Sequence, residues 1–133
     1  FPKGRKGVYS IPEGVTVIND WAFSQCVNLT KVVIPNGVVR IGELAFSKCR
    51  GLTDIEFPES LTEIGGMAFN SCDGLTSVTI PNSVKAIGEN AFYNCSRLTS
   101  VTFPGELGDL YDIFYECNNL KSVNGSEIIY VKF

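Results

Sequence analysis

Histidine is absent from this 133-residue chain, methionine and tryptophan occur once each, and neither sign of charge dominates. Without histidine, Ser-His-Asp and Cys-His catalysis, histidine-ligated zinc or haem, and the usual proton shuttle near neutral pH are excluded. The net charge of −3 offers no basic surface for nucleic acid or an anionic membrane. No apolar run approaches the roughly 18 residues of a membrane-spanning helix, so we expect no membrane insertion. These absences exclude classes of protein without naming an activity.

Apolar residues are plentiful by contrast: hydrophobic residues make up 44% of the chain and charged residues 19%. This composition predicts a packed core rather than disorder, and the length suits a single domain over residues 1–133. The chain begins at Phe1 and not at methionine. We therefore expect a processed or excised segment that has lost any targeting signal.

An internal repeat is the main feature of the sequence. Cysteines recur at spacings of 23, 23, 23 and 22 residues, and phenylalanine, proline and leucine keep the same period. The four series are Cys26, Cys49, Cys72, Cys95 and Cys117; Phe23, Phe46, Phe69, Phe92 and Phe114; Pro12, Pro35, Pro58, Pro81 and Pro104; and Leu29, Leu52, Leu75, Leu98 and Leu120. Four series in one register predict a solenoid of about five repeats of 22–23 residues.

Each repeat predicts the same succession of elements. In residues 75–81, Val78 and Ile80 alternate with polar residues, which indicates a short strand with one buried face that ends at proline. Residues 84–87 predict a second extended segment, and residues 89–95 predict about one or two helical turns with the phenylalanine inward.

A glycine follows the isoleucine of three repeats, at Gly42, Gly65 and Gly88. This placement predicts a turn with positive φ, which glycine adopts without steric cost. The equivalent residue of the first repeat is Asn19, the next most tolerant residue type.

The predicted fold is an α/β repeat solenoid. Equivalent strands of stacked coils pair in a parallel sheet spaced at about 4.8 Å, with short helices or 3-10 turns on the opposite side. Residues 1–9 are expected to form an N-terminal leader or cap, and residues 124–133 a C-terminal cap. The last repeat departs from the pattern because it is one residue shorter, carries Ile113 in place of alanine, and has Gly125 at a core position.

The regular cysteines invite a metal or redox interpretation, which their spacing does not favour. Zinc sites need ligands two to four residues apart, and side chains at equivalent positions of stacked coils point in parallel, too far apart for a disulfide bridge. We expect five reduced thiols buried beside a phenylalanine core, with no metal and no cofactor. Redox or metal chemistry is the alternative.

Asp54 and Glu56 stand two residues apart on one predicted strand, so their carboxylates share a face and lie about 6–7 Å apart. Paired carboxylates can hydrolyse glycosides. The predicted sheet is open, however, with no cleft and no aromatic shelf for a sugar, so we expect a solvated charged strand. The sequence contains no other acid–base or nucleophile constellation, and we predict that the chain is not an enzyme.

A second surface is predicted on the turn side of the coils. The residues before the alanine of successive repeats are Trp21, Leu44, Met67 and Asn90. The large apolar groups of the first three coils either shield the loops between coils or form a stripe that docks a neighbouring domain or a second copy of the chain.

The consensus Leu-x-x-Val-x-Ile-Pro, Val-x-x-Ile-Gly and Ala-Phe-x-x-Cys resembles the BspA-like leucine-rich repeat family over about residues 9–123, nearly letter for letter in residues 75–95. The departures are the shortened last repeat, Asn19 for glycine and Ile113 for alanine. The resemblance implies a leucine-rich repeat arc with a parallel concave sheet, in an exported or surface-attached protein of bacteria or some protists. It also implies an adhesin that binds host matrix proteins or other cells, and it carries over no catalytic residues.

The predicted function is a non-catalytic protein-binding or adhesion module of an extracellular or cell-surface protein, with a host matrix or other surface protein as its partner. The predicted contact residues are the solvent-facing strand positions Lys31, Val33, Asp54, Glu56, Ser77, Thr79, Ser100, Thr102, Ser122 and Asn124. A carbohydrate-binding module that uses the Ser/Thr-rich half of this face is one alternative. A passive structural spacer within a larger surface protein is another. No nucleic-acid partner is expected.

Overall fold

The computed structural model describes residues 6–103, 110–124 and 126–127, which wind into stacked coils. The first side of the coils carries β1 (Gly7–Ser10), β3 (Leu29–Val33), β5 (Asp54–Glu56), β7 (Ser77–Thr79), β9 (Ser100–Thr102) and β10 (Ser122–Val123). The second side carries β2 (Val17–Ile18), β4 (Arg40–Ile41), β6 (Glu63–Ile64) and β8 (Ala86–Ile87). The remaining elements are α1 (Leu110–Ile113) and β11 (Ser126–Glu127). We number the coils by their first-side strands, so that β1 belongs to coil 1, β3 to coil 2 and β10 to coil 6.

The first-side strands confirm the alternation that the sequence predicts. In β5 and β7 the central residues Ile55 and Val78 are buried and their neighbours are exposed. The paired strands run parallel in register, with Val32 beside Ile55 and Val78 beside Val101. One set of alternate side chains therefore enters the core and the other set faces solvent. We call this solvent side the strand face.

The second extended segment is also confirmed in coils 1–4. β2, β4, β6 and β8 form one continuous parallel ladder. Ile18, Ile41 and Ile64 occupy equivalent positions in this ladder and are buried. Two sides of the coil thus contribute strands, and both direct branched aliphatic side chains into one core.

The turn side contains no helix in coils 1–4, so the α/β assignment and the predicted short helices are wrong. Phe46 donates its backbone N–H to the Ala68 carbonyl of the next coil at 2.7 Å, whereas Ser47 donates back to Leu44 at 3.1 Å. A helix requires successive amides to bond back within their own segment. Leu44 and Lys48 also adopt φ values of 57° and 60°, which interrupt any helical run. The turn side is a series of tight turns joined by hydrogen bonds between coils, and the molecule is a parallel β-solenoid.

The glycines that follow the isoleucines are required for close approach and not for positive φ, which corrects the prediction. Gly42, Gly65 and Gly88 do not adopt the left-handed conformation, nor does Asn19. A Cβ on Gly65 would lie 2.7 Å, and one on Gly88 2.2 Å, from a backbone nitrogen of the preceding coil. Asn19 tolerates its side chain because it belongs to coil 1, where it is exposed.

A column of phenylalanine rings forms the centre of the core. Ring centroids in the series Phe23, Phe46, Phe69, Phe92 and Phe114 are separated by 4.9, 5.2, 5.0 and 5.5 Å. The rings are nearly parallel, at interplanar angles of 0°, 5°, 7° and 22°. Each ring of the column thus stacks on the ring of the neighbouring coil, as expected of a solenoid.

The ends of the stack differ from its middle. β1 pairs with β3, so part of the predicted N-terminal segment is a strand of the stack. β11 turns back antiparallel to β10. α1 is the only helix in the part of the chain that the structure describes, and Ile113 is buried at its end. Residues 1–5 and 128–133 of the predicted caps, and Gly125, lie outside the described residues.

Candidate binding surface

The predicted contact residues lie on the strand face, where alternation places their side chains. Seven are exposed and three half-buried: the exposed ones are Val33, Asp54, Glu56, Ser77, Thr79, Thr102 and Asn124, and the half-buried ones are Lys31, Ser100 and Ser122. Asn124 differs from the others because it follows β10, adopts a φ of 52°, and accepts a hydrogen bond from the Phe103 N–H at its side-chain oxygen, at 2.7 Å. The structure therefore gives Asn124 a capping contact in addition to its exposed position.

The chemistry of the strand face changes along the stack. In coils 2 and 3 it carries charge, and Lys31 Nζ lies 3.2 Å from an Asp54 carboxylate oxygen. Val8 and Val33 add apolar groups that are 55% and 42% exposed. From β7 onward the equivalent positions carry hydroxyl groups, except for the amide of Asn124. The first half of the face is thus charged and apolar, and the second half is neutral and polar.

The strand face is interrupted between coils 3 and 4, which the sequence did not predict. β1, β3 and β5 form one sheet, β7, β9, β10 and β11 form another, and no hydrogen bond joins β5 to β7. The threonines before the strands show the same break. Thr53 donates to the Thr30 carbonyl and Thr99 to the Thr76 carbonyl. Within residues 6–103, no hydrogen bond joins Thr76 to Thr53.

The interruption opens a cleft of about 430 Å³ in the strand face. Asp54, Glu56 and Glu59 line it on one side and Ser77 and Thr79 on the other, with Ile55, Phe57 and Pro81 completing the lining. The Phe57 ring is half-buried and packs edge-on against Phe69, with centroids 5.6 Å apart. The equivalent isoleucines of coils 2 and 4, Ile34 and Ile80, are buried.

Asp54 and Glu56 therefore border a cleft, whereas the sequence predicted an open sheet. Asp54 is engaged by Lys31, and both carboxylates are exposed to solvent. The pair thus has the exposure of a solvated charged strand, as expected, although it lies at the rim of a concave site.

The cysteines are buried free thiols in the positions that the sequence predicts. Each thiol of coils 2–5 donates to a phenylalanine carbonyl of the preceding coil: Cys49 to Phe23 at 3.0 Å, Cys72 to Phe46 at 3.2 Å, Cys95 to Phe69 at 3.2 Å and Cys117 to Phe92 at 2.9 Å. The Phe23 carbonyl already accepts the Cys26 N–H at 3.2 Å, so the Cys49 thiol is a second donor that joins two coils, a role that the sequence analysis missed. Burial raises the pKa of Cys49 from 9.0 to about 12, and it also raises the pKa of Cys72 well above 9.0. Neither thiol is a ready nucleophile near neutral pH.

The described residues form neither a metal cluster nor a membrane-spanning helix. In the described ranges, no group of three or more cysteine, aspartate or glutamate residues is arranged to hold a metal ion. No helix in those ranges has the length and apolar character needed to cross a membrane.

The residues of the predicted stripe on the turn side share a backbone conformation. Trp21, Leu44, Met67 and Asn90 adopt φ values of 64°, 57°, 53° and 57°. Asparagine suits this left-handed conformation, whereas the three apolar residues carry a steric cost. Trp21 is 59% exposed, while Leu44 and Met67 are half-buried and line a shallow groove of about 300 Å³. Whether the stripe docks another chain stays a prediction.

Repeated coils, a parallel strand face and a column of buried rings define a leucine-rich repeat solenoid with a solvent-facing strand surface. Residues 9–131 match the family model described as BspA type leucine rich repeat region, in six copies. The chain belongs to this family. No curated protein matches the chain in sequence.

Solved structures of bacterial leucine-rich repeat proteins are similar to the chain. A T. pallidum leucine rich repeat protein is 35% identical with a TM-score of 0.81, over 87% of this chain and 57% of the other. A leucine rich cell surface protein from Faecalibacterium prausnitzii is 34% identical with a TM-score of 0.88, over 92% of this chain and 33% of the other. The pneumococcal vaccine antigen PcpA, at 22% identity and a TM-score of 0.78 over 92% of this chain and 31% of the other, shows the shared fold alone. The chain thus spans about a third to just over half of these proteins.

Proposed function

We propose that the chain is a non-catalytic protein-binding module of an extracellular or cell-surface protein, and that it binds its partner on the strand face. The observation that carries this proposal is the exposure of alternate strand residues that take no part in the core. Such residues can be replaced to suit a ligand while the inward residues keep the fold. We further propose that residues 1–133 act as a single leucine-rich repeat domain.

Two features of the relatives support this proposal. The F. prausnitzii protein is named as a cell surface protein, and residues 9–131 match the BspA type leucine rich repeat model. The resemblance to that family implies an adhesin. Leucine-rich repeat surfaces suit proteins because stacked coils present a broad, regular face rather than an enclosed pocket. A host matrix protein or another surface protein is the partner class that we propose.

A carbohydrate-binding module is the second candidate, because the strand face carries hydroxyl groups at Ser77, Thr79, Ser100 and Thr102. Sugar sites usually also present an exposed aromatic ring, and none of the ten predicted contact residues is aromatic. This contrast favours a protein partner. A passive spacer is the third candidate, and it predicts no ligand for the strand face.

Panels of immobilised matrix proteins and of glycans separate these candidates. We expect binding to a protein on the panel, reduced at least tenfold by Ser100→Arg together with Thr102→Arg on the strand face. The matched control is Lys85→Glu, an exposed residue off that face, which should leave binding unchanged. Binding to glycans alone would favour the second candidate. Equal binding by both variants would contradict the strand face as the site.

A further inference from the structure

We propose that the cleft between β5 and β7 takes an extended, lysine- or arginine-containing peptide segment, which adds as a strand along the free edge of β7. This inference rests on the proposed protein-binding function and names the chemistry of the partner at one place on the strand face. It uses three features of the cleft: the unpaired backbone of two strand edges, the acidic wall formed by coil 3, and the apolar floor.

The first feature is the direction of the backbone groups of β7. In a parallel ladder, alternate residues of a strand direct their N–H and C=O groups to one neighbour, and the intervening residues direct theirs to the other. Ile80 donates to the Thr102 carbonyl of coil 5 at 2.8 Å. The intervening residues Ser77 and Thr79 therefore direct their backbone groups away from β9, into the cleft. An unpaired edge of this kind is a template for an added strand.

The facing wall has the same property. The Val33 carbonyl of β3 accepts the N–H of Ile11 in coil 1 at 3.0 Å, so Val33 directs its backbone groups to the preceding coil. Glu56 holds the same position in β5, in register with Val33, and therefore directs its own groups toward β3. Ile55 is the intervening residue, and it directs its N–H and C=O groups toward the cleft. The free edges of β5 and β7 thus face one another across the cleft. At the other junctions between first-side strands, hydrogen bonds join the two edges and leave no such cleft.

The second feature selects the charge of the added strand. Asp54, Glu56 and Glu59 border the cleft, and the opposite wall contributes only the neutral side chains of Ser77, Thr79 and Pro81. Lys31 pairs with Asp54, while the described residues provide no ion pair for Glu56 or Glu59. Two uncompensated carboxylates at the rim favour a ligand that carries ammonium or guanidinium groups.

The third feature sets the pattern of the ligand. Side chains of an added strand point alternately outward and inward. Outward residues lie beside Glu56, and inward residues lie over Ile55 and the half-buried Phe57. The cleft volume of about 430 Å³ falls in the range of small-ligand sites and suits a few residues of extended chain. Alternation of basic and apolar residues is therefore the pattern that we expect in the ligand.

The probe that follows is the peptide acetyl-Lys-Val-Lys-Val-Lys-amide, titrated into isotope-labelled protein while the amide resonances are recorded. We expect saturable shifts of the Ser77 and Thr79 amides. Two matched peptides separate backbone hydrogen bonding from charge. One has N-methylated valines and so lacks the N–H donors of its valines, and the other has glutamate in place of lysine. Each should bind at least tenfold more weakly than the probe.

Variants of the protein test the same two interactions, charge and backbone hydrogen bonding. Glu56→Gln together with Glu59→Gln should weaken the probe at least fivefold, while Glu89→Gln, on the turn side, should not change it. Thr79→Pro removes an N–H that faces the cleft, so it should weaken the probe and leave the urea midpoint of unfolding nearly unchanged. Thr102→Pro removes an N–H of the intact β7–β9 ladder and should lower that midpoint clearly.

Several outcomes would overturn the proposal. Equal binding of the N-methylated peptide would mean that charge alone attracts the probe, and no saturation up to about 1 mM would mean that the cleft is not a peptide site. Equal midpoints for Thr79→Pro and Thr102→Pro would show that β5 and β7 pair in solution. None of these results would contradict a protein partner elsewhere on the strand face, which the matrix-protein panel tests separately.

Discussion

Coils 3 and 4 are open on one side and closed on the other. On the strand side, β5 and β7 do not pair and a cleft separates them. On the turn side, Phe69 donates its N–H to the Ala91 carbonyl of coil 4 at 2.7 Å, and the Cys95 thiol donates to the Phe69 carbonyl at 3.2 Å. The rings of Phe69 and Phe92 remain stacked at 5.0 Å.

This difference shows which contacts hold the solenoid together. Backbone pairing of the first-side strands is not needed at every junction, because the ring column, the thiols and the turn-side hydrogen bonds continue across it. The strand face can therefore depart from regular pairing at a junction where the turn side keeps its hydrogen bonds. The following changes test that division of roles.

The largest expected effect comes from the ring column. Phe69→Ala removes a fully buried ring that contacts both neighbouring rings, and we expect a loss of about 3–5 kcal/mol in the free energy of unfolding. Thr79→Ala, on the strand face, should change it by no more than about 0.5 kcal/mol. Urea unfolding of both variants measures the difference. Equal losses of free energy in the two variants would contradict the assignment of Phe69 to the core and Thr79 to the solvent face.

The close approach of the coils predicts the next effect. Gly65→Ala places a Cβ 2.7 Å from backbone atoms of coil 2, and we expect a loss of about 1–3 kcal/mol. Gly66→Ala is the matched control, since the nearest atom to its Cβ is a carbonyl oxygen at 3.3 Å. Thermal unfolding should rank Gly65→Ala clearly below Gly66→Ala. The reverse order would contradict steric approach as the reason for the glycine series.

The thiols of the turn side predict a smaller effect that depends on pH. Because burial raises the pKa of Cys49 to about 12, the folded state keeps the proton at pH values at which the unfolded chain releases it. The stabilisation is complete below pH 9 and is lost as the pH rises toward 12. We expect a fall of about 1 kcal/mol from this thiol between pH 7 and pH 10.

Cys49→Ala provides the control for this prediction. The variant should be less stable at pH 7 because it loses the hydrogen bond to Phe23. Its further fall between pH 7 and pH 10 should be smaller than that of the unchanged protein. Parallel stability curves for the two proteins would show that Cys49 does not contribute to the alkaline loss.

The smallest expected change in stability concerns the cleft itself. Phe57→Ile introduces the residue type found at the equivalent positions of coils 2 and 4. The free energy of unfolding should change by less than about 1.5 kcal/mol, because Phe57 is only half-buried. Hydrogen exchange at Thr79 should slow if the smaller side chain lets β5 and β7 pair. Unchanged exchange would place the cause of the separation elsewhere than in the Phe57 ring.

The sequence was a good guide to the period of the repeat, to its strands and to which side chains are buried. The period, the buried column of Phe23 to Phe114, the free thiols and the two extended segments were all predicted from residue spacing. Alternation with period two and identical positions in each unit are local patterns, and the structure preserves them because every coil buries the same face. The ten contact residues were placed on the strand face for the same reason.

The helical turns and the positive-φ glycines were predicted wrongly because inward spacing alone does not distinguish a helix from a row of tight turns. Phe46 and Cys49 have the inward spacing of a helix, yet the Phe46 N–H bonds to the next coil and the Ser47 N–H to its own. The glycines at 42, 65 and 88 face a backbone that is far away in sequence. The thiol contacts with phenylalanine carbonyls were missed on the same grounds.

The sequence by itself determined that coils stack, which residues enter the core and which side chains face solvent, since each follows from a pattern within one repeat. Tertiary structure alone decided the turn conformation, the close approach at Gly65 and Gly88, and the cleft between β5 and β7. These features depend on the distance between one coil and the next. That distance results from all the contacts across a junction. Phenylalanine in place of isoleucine at position 57 therefore acts on it only when both coils are in place.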